Sequence, residues 1–251
     1  MTKELSVFII TKNEEANIET CLKSVQHMAD EIIVVDSGST DKTLEIAEKY
    51  GAVVYTQNFT SFTEQKNFAL SKATGKWVLN LDADEALSPA LQEEIKAIIN
   101  STDKSGFWIP VNNEFLGREM RHSGLHRQLR LRMAKRENAS YIGGKVHESL
   151  HISGPIGILK NVIIHRPYKT IKQYFLKFNF YTSLAAETMY EENKKLSHLQ
   201  LLRPPFEFFK LYILRLGILD GLEGFLWAYF SANYSFVKYA KLWNLQKNKG
   251  K

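Results

Sequence analysis

The 251-residue chain contains one cysteine, Cys21, which excludes an internal disulfide framework and fits a reducing, cytoplasmic setting. That thiol is expected on a helix face as a small packing residue. Long apolar runs are also missing. Within Phe206–Trp243 the longest charge-free run, Gly224–Val237, has 14 residues, short of the roughly 20 that span a bilayer. The opening MTKELSVFIITKNEE does not read as a signal peptide, because its apolar stretch is brief and acids follow at once. The turn after the first predicted strand, TKNEEAN, has no glycine, which excludes a G-x-G-x-x-G dinucleotide site. A Walker phosphate loop is absent, as are repeats and low-complexity tracts. What remains is ordinary globular composition, 44% hydrophobic and 24% charged, enough for one large domain or one domain plus an appendage.

Charge is unevenly spread. The net charge is +6, yet His165–Lys251 holds 14 Lys and Arg against 6 Asp and Glu, a net +8. The first 164 residues carry 19 basic and 21 acidic residues, a net −2. An anionic partner for the last third follows from this asymmetry, whether membrane lipid, phosphorylated lipid or nucleic acid. Nucleic acid ranks lowest, since no nucleic-acid motif accompanies the basicity.

The first half alternates strand and helix periods. Leu5–Ile10, Ile32–Val35, Ala52–Tyr55 and Trp77–Leu81 read as strands, with helical spacing over Asn17–Met28, Leu44–Ala47 and Thr63–Ala73. Ser39 or Thr40 offers a hydroxyl to cap the second helix, Gly51 ends it, and Ser88-Pro89 opens a fourth. Such alternation predicts an α/β fold with a mostly parallel sheet and helices on both faces, with ligands outside the carboxyl ends of the strands. Three polar clusters follow three strands there: Thr11–Glu15, Asp36–Asp41 and Asp82–Glu85. They are expected to share one rim. After residue 105 the pattern changes. Phe107–Val111 and Leu129–Met133 read as strands, the second with one wet face because Leu and Arg alternate. From Thr170 the chain is helical in character, interrupted at Pro204-Pro205. The expected division is a catalytic domain over 1–165 and a basic, aromatic helical region over 166–251. Within the latter, a helix lying in a membrane interface and a helix packed as ordinary core are both open.

Asp82-Ala83-Asp84 sets two carboxylates just past a buried strand, a donor set that Mg²⁺ or Mn²⁺ favours together with waters and substrate phosphates. A metal there neutralises charge on a departing nucleoside diphosphate. Asp36 can accept a bond from a nucleobase N–H or cap the next helix, and Asp41 falls where a helix dipole favours an anion. The arginines between 118 and 136 suit either a solvated strand face or an anionic acceptor or diphosphate.

The ordered motifs FIITKNEEANI, IIVVDSGSTDKT, EQKNFAL, WVLNLDADE and KVHESL resemble those of inverting family 2 glycosyltransferases with a GT-A, Rossmann-like fold. More narrowly, they resemble the small bacterial lipopolysaccharide-core enzymes of the WaaE/LgtF type. The resemblance covers roughly residues 5–150. It implies a metal-dependent, membrane-associated enzyme on the inner face of the cytoplasmic membrane, moving glucose from UDP-glucose to an inner-core heptose. Another surface glycan or a polyprenyl phosphate is the alternative acceptor, and a silent nucleotide-sugar-binding scaffold the alternative from another class. By the same resemblance Thr11, Asn13 and Glu14 line the nucleoside pocket, Asp36 faces the uracil and Lys66 the donor's nucleotide. Asp82 and Asp84 hold ribose and metal. Glu148 is the candidate general base, with Glu85 its rival and His147 a further candidate metal ligand; a surface ion pair is the plain alternative for Glu148. The Q-x-x-R-W motif of processive synthases is absent, so single-sugar addition is implied.

Overall fold

The computed structural model describes residues 3–143, 148–196, 200 and 202–249. In chain order the strands are β1 (Leu5–Thr11), β2 (Glu31–Asp36), β3 (Val53–Thr56), β4 (Trp77–Asp82), β5 (Glu85–Leu87), β6 (Gly106–Phe115), β7 (Arg118–Glu119), β8 (Gln128–Lys135), β9 (Ala139–Gly143), β10 (Glu148–Ile152), β11 (Ile156–Ile158) and β12 (Ile163–Tyr168). The α-helices are α1 (Ile18–Lys23), α2 (Thr43–Lys49), α3 (Phe62–Lys72), α4 (Pro89–Ile98), α5 (Ile171–Glu191), α6 (Arg203–Phe209) and α7 (Gly221–Lys249). Two compact units result: Met1–Val111 with Arg127–His165, and Asn112–His126 with Arg166–Lys251.

The first unit is built on a sheet ordered β3-β2-β1-β4-β8-β6-β12-β5. Its first four strands are parallel, and β8 then joins β4 antiparallel. Both faces are buried, as a parallel sheet under helices requires. Leu5, Val7, Ile9, Ile32, Val34, Leu79 and Leu81 point to the side of α1, α2 and α4, where Ile18, Leu22, Ala47, Leu91 and Ile95 meet them. Phe8, Ile33, Val35 and Val78 point to the other side, against Ala69 and Ala73 of α3's end and Tyr141 and Ile152 of the β9–β10 hairpin. Alternation along each strand thus feeds two cores from one sheet.

Local chemistry explains the helix ends, with two corrections to the sequence expectation. Ser88 Oγ accepts the Leu91 amide and Pro89 opens α4, as its sequence requires. Neither Ser39 nor Thr40 caps α2. That helix begins after Lys42 without a side-chain cap bond, and Ser39 turns back to Asp36 and Asn13 instead. Asp41 therefore lies ahead of the helix, where its carboxylate accepts the amide and hydroxyl of Thr43. In β8 the Leu–Arg alternation does not sort cleanly into a wet and a dry face: Arg130 is exposed, but Arg132 is buried and Leu129 is exposed.

The second unit is mostly helical. Phe115 sits among Tyr168, Tyr174, Trp227 and Phe230 in a cluster of edge-to-face rings. A second core joins α5 and α7 through Ala186, Tyr239 and Leu242. Pro204 and Pro205 stand in the first turn of α6, where a missing amide costs nothing, so they open this helix. A π-helical turn (Lys210–Leu214) and a 3-10 turn (Gly217–Asp220) then lead into α7. Among the described residues no helix is long and apolar enough to cross a membrane.

Candidate active site

Strand register gathers the expected acids. Thr11 lies opposite Asp36 on β2, and Ile10 lies opposite Asp82 on β4, so three strands end in one row. The loops beyond them are tied together. Asn13, at φ 53°, donates its amide to Ser39 Oγ and accepts the Thr40 amide on Oδ1, each at 2.8 Å. Glu14 donates its amide to Thr43 Oγ1 and accepts Asn17 Nδ2 on its carboxylate at 2.6 Å. Asp36 is buried, its carboxylate accepting the amides of Gly38 and Ser39 and the Ser39 hydroxyl. A carboxylate has about four lone-pair sites, so one stays open beyond those three bonds. The Thr11 hydroxyl is buried and has no partner among the described residues. A buried hydroxyl is costly to leave unpaired, and a ligand at the strand ends would satisfy it.

Asp82 and Asp84 part company at the end of β4. Asp82 Oδ2 accepts Arg132 Nη2 at 2.6 Å, and the same nitrogen donates to Glu85 Oε1 at 2.6 Å. Arg132 Nη1 donates to Asn80 Oδ1 at 2.9 Å, and the Asp82 amide donates to Glu85 Oε2 at 3.0 Å. Burial disfavours charge on Asp82, but Arg132 and Lys66 outweigh it and hold the carboxyl well below the usual range. Burial raises Glu85, Arg132 opposes this, and the charge of Asp82 adds to it, leaving Glu85 above the usual range.

Asp84 faces His165 instead, with Nε2 3.3 Å from Oδ1. The β5–β12 ladder explains the meeting, since it sets His165 opposite Glu85, one residue past Asp84. Burial opposes protonation of His165, but its hydrogen bond to Asp84 and that carboxylate's charge raise its pKa overall. Among the described residues no cluster of three or more His, Cys, Asp and Glu is placed to hold a metal. The Asp84 carboxylate is the kind of donor that Mn²⁺ or Mg²⁺ takes together with waters and phosphate oxygens, and His165 stands beside it.

On the α3 side the motif EQKN divides its labour. Gln65 Nε2 donates to the carbonyls of Gln57 and Asn58, and Asn67 exchanges two bonds with the backbone of Tyr141. Lys66 between them is buried, its Nζ 2.6 Å from Glu148 Oε1, 3.9 Å from Asp82 Oδ1 and 5.6 Å from the centre of the Tyr141 ring. The β9–β10 hairpin, which sets Glu148 opposite Gly143, delivers the carboxylate. His147, with Lys145 and Val146 before it in KVHESL, lies outside the described residues.

The model of the family described as "Glycosyl transferase family 2" matches residues 6–153, which include all of these groups except His165. The chain belongs to that family. Relatives run nearly its whole length. A lipopolysaccharide core biosynthesis glycosyltransferase, LpsC of Rhizobium meliloti (strain 1021), is 32% identical over 95% of this chain and 92% of its own. An uncharacterized glycosyltransferase of Rickettsia prowazekii (strain Madrid E) is 34% identical over 97% and 88%. Among solved structures, S. aureus TarS 1-349 superposes with a TM-score of 0.51 at 17% identity, covering 99% of this chain and 92% of that one. That likeness speaks for a shared GT-A fold.

In this family 2 glycosyltransferase the rim thus unites Thr11, Asn13, Glu14, Asp36, Lys66, Asp82 and Glu148, while Asp84 pairs with His165. Two roles lay outside the sequence reading. Arg132 was hidden in a strand that scans as half-wet, and its buried guanidinium is the cation of the Asp82 network. His165 lies 81 residues beyond Asp84, and only the antiparallel ladder brings them together.

Proposed function

We propose that this glycosyltransferase moves a single sugar, with inversion, from UDP-glucose to an inner-core heptose of lipopolysaccharide at the cytoplasmic membrane face. The observation that carries the reading is Lys66, which stands between Glu148 and Asp82 and so ties an acceptor-side carboxylate to a donor-side one. The name of the LpsC relative supports the acceptor class. In this reading Glu148 accepts the proton of the attacking hydroxyl, with Lys66 holding it in place through their 2.6 Å ion pair. Asp36 and the Thr11 hydroxyl meet the nucleoside, and Asp82, fixed by Arg132, meets the ribose. Asp84 and His165 would hold Mn²⁺ or Mg²⁺. When bound, such an ion supplies charge neutralisation for the departing diphosphate.

The test is a panel of UDP-, GDP- and CMP-sugars, each assayed for release of nucleotide with and without Mg²⁺ or Mn²⁺. Metal-dependent turnover of a UDP-sugar is expected. Binding without turnover, even with heptose-bearing core acceptors, would favour the silent scaffold; turnover unaffected by chelator would remove the metal from the mechanism.

A further inference from the structure

The second unit carries its apolar side chains on the wrong side for a water-soluble surface. In α7, Leu222, Phe225, Tyr229, Phe236 and Trp243 are all exposed. At 3.6 residues per turn these five positions fall within an arc of about 60°, along a helix roughly 43 Å long. The adjoining flank, beginning about 40° away, is the packed one, with Gly224, Ala228, Tyr239 and Leu242 buried. An amphipathic helix normally turns its apolar stripe inward. Here a second apolar stripe faces out.

The segment that feeds α7 continues this surface. Leu214, Leu216, Ile218 and Leu219 are exposed by 60%, 50%, 51% and 58%. Backbone contacts fix their placement. Leu216 adopts a left-handed backbone, φ 55°, unusual for a leucine. The Arg215 carbonyl accepts the Ser123 amide at 2.8 Å. Gly217 and Gly224 pack so closely that any side chain on Gly224 would collide with the Gly217 carbonyl. Ring contacts run on without a break from Tyr212 to Phe225, Tyr229, Phe230 and Phe175 of α5. At about 150–250 Å² per large side chain, half exposed, the surface reaches on the order of 1,000 Å², beyond the few hundred that monomers usually show.

Charge selects the occupant. The same unit exposes the basic residues Lys169, Lys172, Arg203, Arg215 and Lys247. In α5 the acids are confined to the C-terminal end, Glu187 and Glu191, with Glu192 just beyond it. From 202 to 249 there are three, and each is engaged. Glu207 pairs with Lys210 at 2.8 Å, Glu223 with Arg118 at 3.3 Å, and buried Asp220 accepts the amides of Arg121 and His122. A second copy of this face would bring like charges together, whereas an anionic bilayer complements both the cations and the leucines.

We infer that the outer stripe of α7 and the leucine-rich turn before it form a membrane-docking face that inserts into an anionic lipid surface. The inference rests on the proposed lipid-linked acceptor only for the kind of bilayer; the surface is read from the second unit alone.

The experiment is flotation of the full chain with phosphatidylglycerol/phosphatidylethanolamine vesicles, against pure phosphatidylcholine vesicles and against high salt. Alongside it run the triple variant Leu214→Ser/Leu219→Ser/Leu222→Ser and the charge variant Lys172→Glu/Lys247→Glu. Wild type is expected to float with anionic vesicles and less in salt. The triple variant should bind about 100-fold more weakly, given the apolar area it removes. The charge variant should lose the preference for anionic lipid. All of these sites are solvent-facing, so circular dichroism and UDP release should match wild type. Release of UDP reports the catalytic reading separately, so failure of either reading is seen on its own. The docking face is overturned if wild type ignores anionic vesicles, if the triple variant floats as well as wild type, or if light scattering shows a dimer that the triple variant dissolves without any lipid binding.

Discussion

Replacing Arg132 with methionine should destabilise the protein more than any other single change on the rim. Arg132 is 6% exposed and bonds Asp82, Glu85 and Asn80, so its loss takes the bridging cation away from buried Glu85 and part-exposed Asp82. Removing one partner of a buried charge pair costs about 3–5 kcal/mol, a large share of the 5–15 kcal/mol that holds a typical domain. For a chain of this size that is a fall in Tm of roughly 6–20 °C. Thermal unfolding by circular dichroism would measure it. The decisive comparison adds Glu85→Gln, alone and combined with Arg132→Met. Burial already pushes the Glu85 carboxyl upward, so the single Glu85→Gln change should be mild. In the double variant one of the two carboxylate charges is gone, and about 1–3 kcal/mol should return as a favourable coupling energy. If Arg132→Met melts within a degree or two of wild type, or if the two changes simply add, the claim that this guanidinium neutralises the Asp82–Glu85 pair is wrong.

Alanine at Asp84 or His165 should each cut UDP release at least about 100-fold, with the circular dichroism spectrum unchanged, because each removes a donor from the proposed metal site. Retained turnover in His165→Ala would leave Asp84 without its partner in the mechanism. Glu148→Gln should lower kcat by on the order of 10²–10⁴ with little change in donor KM, as loss of a general base requires; a pure KM effect would make it a binding residue. Glu31 supplies the pH dependence. Burial alone would raise its carboxyl, but Lys3, Ser6 and Thr74 bind it and hold the pKa at about 2, against 4.5 when free. A depressed folded pKa means that this stability is present above pH 4.5 and is lost as the pH falls toward 2. Glu31→Gln should therefore cost about 2–3 kcal/mol at neutral pH. Denaturant melts between pH 7 and 3 should show that gap closing on the acid side, and a constant gap would count against the assignment.

How much of this was legible in the sequence depends on how far apart the interacting residues lie. The ends of β1, β2 and β4 were readable because a parallel sheet buries near-continuous apolar runs and places the polar break at the carboxyl edge, where Thr11, Asp36 and Asp82 stand. Lys66 was legible only through the motif around it; nothing in a helical heptad announces that Gln65 and Asn67 fasten backbone while the lysine between them faces two carboxylates. The capping of α2 was misread because a hydroxyl near a helix start has competing partners. Ser39 finds the fixed carboxylate of Asp36 and the amide of Asn13, a loop-to-loop tie that no local rule contains. Arg132 was misread for the same kind of reason. Alternation predicts a wet face only when the neighbours offer water, and here β4 and β5 offer Asp82, Asn80 and Glu85. His165 required the antiparallel ladder between β5 and β12, a pairing across the whole length of the catalytic unit. The outward stripe of α7 was half legible. Its aromatic content was plain, but apolar residues at helical spacing look the same whether they face a core or a lipid surface, and only burial separates Leu242 and Tyr239 from Phe236 and Trp243. Periodicity thus identifies which residues share a face, while the partner of that face is a tertiary fact, and in this chain both the chemistry of the rim and the proposed docking surface turn on that second kind of fact.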